Sequence, residues 1–337
     1  MKKVILFFVL MTLLLVTVAC GSSEENQTEE NGGNDGTETT GAEGLSDISF
    51  GAATVGGFWY TLAGAMAEDI QATFPGSSVT VVEGGSVSNI LGLEQEIYAI
   101  GFSNGQTVPE ALEGLGEFKE PIENVSTIGT LYPNVMHIVV PKNSNIHSVE
   151  DLAGKRVSPG IRGYSGELAF IDILEAYGMS YDDLAHIEYI GTSDGADLLR
   201  DGHIDVLVGM LSAPVSTIQE LDTTFGVRLI PIDQSVVDEL HEKNPGYLDF
   251  TIEADAYSNI NEDTKTIAGF TVLLANNNLI SEEAGYELTK MLVENRDKWE
   301  TLSSVMKDFN AEYSIENNVG DLHPGAERYY KEIGVLE

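Results

Sequence analysis

The chain of 337 residues has a single cysteine, Cys20. A disulfide framework, a zinc ribbon and a catalytic thiol in a folded body are therefore excluded. Bases are scarce, with 17 Lys and Arg against 54 Asp and Glu, a net charge of −37. Binding nucleic-acid phosphates requires Lys and Arg to replace counterions, so a nucleic-acid partner is not expected. The excess acid reads as a solvated surface suited to a saline setting, where salt screens self-repulsion. After residue 18 no apolar run approaches the roughly twenty residues of a membrane-spanning helix. No G-x-x-x-x-G-K-[ST] loop occurs, and no G-x-G-x-x-G follows the first expected strand. The six histidines form no H-E-x-x-H pair. Neither a metal nor a cofactor is expected.

The N-terminus holds a targeting segment. Lys2 and Lys3 precede an apolar run from Val4 to Val18, followed by Ala19 and Cys20. This is the pattern of a secretory signal peptide, residues 1–19. The sequence Thr17-Val18-Ala19-Cys20 resembles the lipobox of bacterial lipoproteins, in which the cysteine carries the lipid. Acyl chains buried at about 0.8 kcal/mol per CH₂ would hold the protein on the outer face of the membrane. Residues 20–45 then form an acidic linker of Gly, Ser, Thr, Asn and Glu, without Lys, Arg or an aromatic. It has too little apolar surface to offset ordering entropy, and a flexible spacer is expected.

Hydrophobic residues make up 42% of the chain, enough for substantial cores beyond this spacer. Strands are expected at 48–53, 79–82, 98–102, 126–131, 135–140, 156–158, 187–190, 205–210, 227–230 and 271–275. Leu62, Met66 and Ile70 mark one helix face. Leu168, Ile171 and Leu174 mark another, which Tyr177-Gly178 ends. Further helices are expected at 194–200, 282–295 and 325–333. This alternation indicates an α/β protein with largely parallel sheets. Ligands of such sheets sit beyond the carboxyl ends of strands.

Three small, polar turns follow strands and open helices: Gly56-Gly57-Phe58-Trp59-Tyr60, Gly84-Gly85-Ser86-Val87-Ser88-Asn89 and Gly163-Tyr164-Ser165-Gly166. Glycine lets backbone N–H groups approach a ligand, and a helix start favours an anion. Such turns also serve as ordinary helix caps. Trp59 and Tyr60 offer broad faces with polar tips. Arg162, one of few bases, could clamp a carboxylate. Gly163-Tyr164-Ser165-Gly166-Glu167 approaches a nucleophile elbow, but G-x-S-x-G requires glycine where Glu167 stands.

These motifs, in order, resemble the TAXI-type solute-binding subunits of tripartite ATP-independent periplasmic (TRAP) transporters. The likeness runs from about Ile48 to the C-terminus. Gly56-Gly57-Phe58-Trp59-Tyr60 is similar to the family's G-G-T-Y-Y, with Phe58 and Trp59 in place of Thr and Tyr. Gly84 to Asn89 is similar to G-G-S-x-x-N. Ile100 to Asn104 falls where a strand ends in ligand contacts. Leu131-Tyr132-Pro133 and His137 match the start of the second lobe. Residues 148–157 match s-v-x-D-L-x-G-K-R-V, a signature shared widely among bacterial binding proteins. Leu322-His323-Pro324-Gly325-Ala326 and Arg328-Tyr329-Tyr330 match the C-terminal L-H-P-G-A-x-R-Y-Y.

The resemblance implies a two-lobed, type II periplasmic-binding-protein-like fold with a hinge and an interlobe ligand cleft. Lobe 1 would comprise residues 46–133 and 266–337, and lobe 2 residues 134–265. A glutamate-like or other small carboxylate would bind at Trp59, Tyr60, Ser86, Asn89, Asn104, Tyr132, Arg162, Ser165 and Gly166. TRAP membrane subunits would receive it, driven by an ion gradient and without ATP. The alternatives are a binding protein of an ATP-driven (ABC) importer or sensor, and an extracellular hydrolase using Ser165.

Overall fold

A computed structural model describes residues 46–55 and 57–337. The signal peptide, Cys20, the spacer and Gly56 lie outside the described residues. Along the chain run β1 (Asp47–Gly51), α1 (Phe58–Thr73), β2 (Ser78–Val82), α2 (Ser86–Glu94), β3 (Ile100–Asn104), α3 (Thr107–Glu113) and β4 (Val125–Pro141). Next come β5 (Arg156–Ser158), α4 (Ser165–Ala176), β6 (His186–Ile187), α5 (Thr192–Arg200), β7 (Val206–Leu211), α6 (Ser216–Thr224), β8 (Val227–Leu229) and α7 (Gln234–Lys243). Then follow β9 (Leu248–Ile252), β10 (Thr264–Asn276), α8 (Glu282–Glu294), α9 (Arg296–Leu302), α10 (Ala311–Glu316) and α11 (Pro324–Glu332). No helix among the described residues is long and apolar enough to cross a membrane.

The strands form one mixed sheet in the order β2-β1-β3-β10-β4-β7-β5-β6, with β8 beside β4 and β9 beside β10. Largely parallel sheets were expected, and this needs correction. Pairs β1/β2, β1/β3, β5/β6 and β5/β7 are parallel. Every pair that includes β4 or β10 is antiparallel. The βα units build the two wings, and two long strands join them.

Those long strands carry different cores along their length. Leu131 and Tyr132 of β4 pack with α1, β1, β3 and α8. Farther along β4, Met136, Ile138 and Val140 pack with α4 and α7, while Val135 and Val139 pack with α5 and α6 on the opposite face. This is the two-residue alternation of a strand covered on both faces. In β10, Leu273 and Ala275 join the first core, and Ile267 joins the second. Each half of the sheet thus has its own hydrophobic centre. In α1 the expected face holds: Leu62, Met66 and Ile70 are buried, stabilising by about 1.5–3 kcal/mol each.

Residues 126–131 and 135–140 were expected as two strands because Pro133 lies between them. They form one strand of 17 residues. Phe270 pairs with Pro133 and Val272 with Thr130, so Leu131 and Tyr132 together face Thr271. This bulge absorbs the extra residue, and it lets two consecutive side chains enter the same core. Helix α4 also differs from expectation. Its buried face is Ala169, Phe170, Ile173 and Leu174, with Leu168 and Ile171 half-buried. Leu168 reaches toward the α2/α3 core of the other half. Strand β3 begins two residues later than expected.

Candidate functional site

A cavity of about 750 Å³ lies between the halves of the sheet. Five helices begin on it: α1 at Gly57–Phe58, α2 at Gly85–Ser86, α4 at Tyr164–Ser165, α5 at Gly191–Thr192 and α6 at Val215–Ser216. At each of these starts the residue before the helix is extended, and no side chain caps it. The first N–H groups of a helix have no intrahelical acceptor, so these five starts aim donors and positive dipole ends at one space. The α-helices capped by a side chain are α8 by Ser281, α10 by Asn310 and α11 by His323, and all three begin away from the cavity.

The floor is a buried chain of hydrogen bonds. Trp59 Nε1 donates to Thr271 Oγ1 at 2.9 Å, and Asn134 Nδ2 donates to the same oxygen at 2.7 Å. Asn134 Nδ2 also donates to Asn104 Oδ1 at 2.7 Å. With its oxygen so engaged, Asn104 turns Nδ2 toward Ser86 Oγ at 3.2 Å and Ser165 Oγ at 2.5 Å. The Asn104 backbone N–H also reaches Ser86 Oγ. Both hydroxyls are therefore acceptors toward Asn104, and each keeps its own proton for another acceptor. Ser86 and Ser165 are each more than nine-tenths buried, and each is the first residue of a helix, one in each half.

Phe58, Trp59, Tyr132 and Tyr164 supply aromatic walls. Phe58 and Tyr132 have ring centroids 5.4 Å apart. Burial pushes the Tyr132 phenol well above its ordinary pKa, against hydrogen bonding by Thr271 and Trp59. The Tyr164 ring lies over Gly85, where a Cβ would meet ring carbons at 3.2 Å. Glycine there gives the ring of one half room to approach the backbone of the other.

Of the nine expected ligand residues, Trp59, Ser86, Asn104, Tyr132, Ser165 and Gly166 line the cavity. Three do not. Tyr60 is half-buried against the α1 core, since the residue after Trp59 points about 100° around the helix. Asn89 is wholly buried, with Nδ2 donating to the Ala52 and Phe102 carbonyls at 2.7 and 2.8 Å. It ties α2 to β1 and β3. Arg162 is exposed, with its guanidinium 5.5 Å from the Tyr189 ring centroid. Among the described residues no Lys, Arg or His lines the cavity. At Ser165 the geometry that the hydrolase alternative requires is missing, because the partner of its Oγ is an amide donor and not a base.

Sequence reasoning overlooked Asn134 and Thr271, which lie mid-strand. It also overlooked the starts of α5 and α6. Gly191-Thr192-Ser193 has the same small, polar pattern after a strand as the turns singled out, and was legible on that ground. The C-terminal Leu322-His323-Pro324-Gly325-Ala326 motif serves packing instead. His323 caps α11, and a Cβ on Gly325 would strike the α8 backbone. Among the described residues no cluster of His, Cys, Asp or Glu could hold a metal.

The two halves, the long strands that join them and the cleft between make a two-lobed fold of the periplasmic-binding-protein kind. The chain belongs to the NMT1-like family, whose model matches residues 50–334. It is similar in structure to PhnD1 of Prochlorococcus marinus (MIT 9301), solved with methylphosphonate, at 11% identity and a TM-score of 0.51, covering 86% of this chain and 97% of that one. The periplasmic aliphatic sulphonate binding protein SsuA of Escherichia coli matches at 15% identity and a TM-score of 0.47, with 77% of each chain covered. The alkanesulfonate-binding protein SsuA of Xanthomonas axonopodis pv. citri, bound to MOPS, matches at 15% identity and a TM-score of 0.46, covering 86% of this chain and 85% of that one.

Proposed function

We infer that this protein captures a small organic anion on the extracytoplasmic side of the membrane and delivers it to a membrane transporter. The reading rests on one observation above the rest: Ser86 and Ser165, from opposite halves, converge on Asn104 and retain hydroxyl protons at two helix starts. An anion accepting from both would bridge the lobes and favour closure. Trp59, Ser86, Asn104, Tyr132, Ser165 and Gly166 are the contact residues in this reading, joined by Asn134. The separate cores support lobes of residues 46–133 with 266–337, and 134–265.

The transporter in this reading is of the TRAP type, on the motif resemblance that runs from Gly57 to Tyr330, and Cys20 anchors the protein by its lipid. Delivery to an ABC importer is the second reading, because the two-lobed fold suits either transporter. The test begins with protein expressed from the full chain, denatured, with released small molecules weighed by mass spectrometry. An organic acid in near-stoichiometric amount is expected. A released cation or neutral sugar would overturn the reading. Uptake into vesicles bearing the partner permease should follow an imposed sodium gradient and persist without ATP. A requirement for ATP would favour the importer. Cys20→Ser should release the protein from membranes, and continued tight association after signal removal would exclude the lipid anchor.

A further inference from the structure

We propose that the cleft selects a singly charged anion with an apolar or aromatic body, and discriminates against doubly charged anions of equal length. The inference rests on the anion reading above and concerns the charge and body of the ligand.

Among the described residues no base lines the cavity, so the positive ends that face it are helix starts. Each start carries about half an elementary charge, effective only within its first turn. Five starts therefore supply about two and a half charges of potential. Two of them carry their own carboxylate on the cavity wall: Glu167 in the first turn of α4 and Asp194 in the first turn of α5. The starts of α1, α2 and α6 have no acid in the first turn. Two carboxylates leave less than one positive charge in balance, which suits one anionic group and not two.

The donors agree with this count. On the cavity wall, Ser86 and Ser165 are buried hydroxyls with protons left to give, and both flank Asn104. They mark one head-group position. A second anionic group would lie farther along the cleft, toward Glu167 or Asp194 and without a counter-cation. Glu167 is itself buried, accepting from Gly163 N–H at 3.1 Å and from the Tyr181 hydroxyl at 2.9 Å, so it holds a fixed position. Phe58, Trp59, Tyr132, Tyr164, Ile161 and Met210 give the wall its apolar faces, between small neutral polar residues such as Thr54, Thr61, Ser193 and Thr217. Such a lining removes hydrocarbon or a ring from water, and gives a second charge no compensation.

The test uses matched probes against protein expressed from the full chain and freed of bound ligand by partial unfolding and refolding. The pairs are hexanoate with adipate, and phenylacetate with 4-carboxyphenylacetate, titrated by calorimetry near neutral pH. Hexanamide is the uncharged control. Each monoanion is expected to bind at least about tenfold more tightly than its dianion. A dianion that equals or exceeds its monoanion in both pairs overturns the inference and leaves the anion reading intact. Hexanamide binding as well as hexanoate overturns the anion reading itself. Asp194→Asn should narrow the monoanion preference several-fold, and a preference just as wide in that variant overturns the electrostatic account.

Discussion

Asn104 Nδ2 and Ser165 Oγ stand 2.5 Å apart, although 61 residues separate them in sequence. The bond joins the end of β3 to the start of α4, and so one half of the sheet to the other. The same amide orients Ser86 and is itself fixed by Asn134. Asn104→Ala removes the common partner of all three. It is expected to lower stability by about 1–3 kcal/mol and ligand affinity by about tenfold. Asn104→Asp should be worse for binding, because a carboxylate takes the protons of both serines and adds negative charge. Calorimetric titration of the two variants, with denaturant unfolding alongside, checks the order. An aspartate variant that binds better than the alanine variant would contradict it.

Arg162→Ala is expected to leave ligand affinity within about twofold of the parent, since the exposed guanidinium lies over Tyr189 and outside the cavity. Sequence reasoning had pointed the other way. A tenfold loss on titration would return Arg162 to the site.

The clearest pH dependence comes from Glu110 on α3. Burial, followed by repulsion from Asp172 of α4, pushes its carboxyl up to about 7 from an ordinary 4.5. Asn244 Nδ2 donates to it at 3.2 Å, Lys243 opposes the shift, and Glu117 adds to it. Nearby, the buried Tyr247 hydroxyl donates to Asp172. The folded state therefore holds the Glu110 proton more tightly than the unfolded chain does. Its stabilising contribution is complete below about 4.5 and is lost as pH rises through about 7. The buried His137, pushed down to about 4, acts with the opposite sign, its contribution lost as pH falls from 6.5 toward 4. The difference between parent and Glu110→Gln isolates the carboxyl. From pH 5 to pH 8 the parent Tm should fall by about 2–4 °C relative to the variant. Parallel Tm curves would refute the assignment.

Gly246 lies against the backbone of Gln106, where a Cβ would sit within 2.5 Å of both its nitrogen and its Cα. A methyl group there cannot be accommodated by turning a side chain. Gly246→Ala is expected to cost about 1–3 kcal/mol in denaturant unfolding, and a neutral substitution would show that the backbones separate freely.

The wings of the fold were legible because each is a run of βα units with regular apolar spacing, as in Leu62, Met66 and Ile70. The middle was not. Pro133 reads as a break, and only pairing with β10 shows that a bulge carries the strand past it. The cavity lining was legible where glycine and serine open a helix, at Ser86, Ser165 and Gly166. It was misread where neighbours in sequence face different ways. Tyr60 adjoins Trp59, and helical rotation turns it away from the cavity; Asn89 shares a helix face with Ser86 but lies nearly a turn deeper, where the Ala52 and Phe102 carbonyls take its amide. Asn134 and Thr271 gave no signal, since a polar residue in a long apolar strand is identified only by what lies across from it.

The two strands that pass between the halves also govern how the halves can move. β4 and β10 run as a continuous antiparallel ribbon, hydrogen-bonded from Val125–Asn276 to Val135–Ala268. Such a ribbon resists stretching and sideways shear, because either would break its ladder, and it yields most readily in twist and bend. It therefore behaves as a leaf spring clamped at both ends. Its ladder shifts register twice, at Ile128 and at Leu131 with Tyr132, and Tyr132 is also part of the cavity wall. Bending at the second shift would turn the Tyr132 ring relative to Phe58, whose centroid lies 5.4 Å away, and so tie the state of the joint to the shape of the recess.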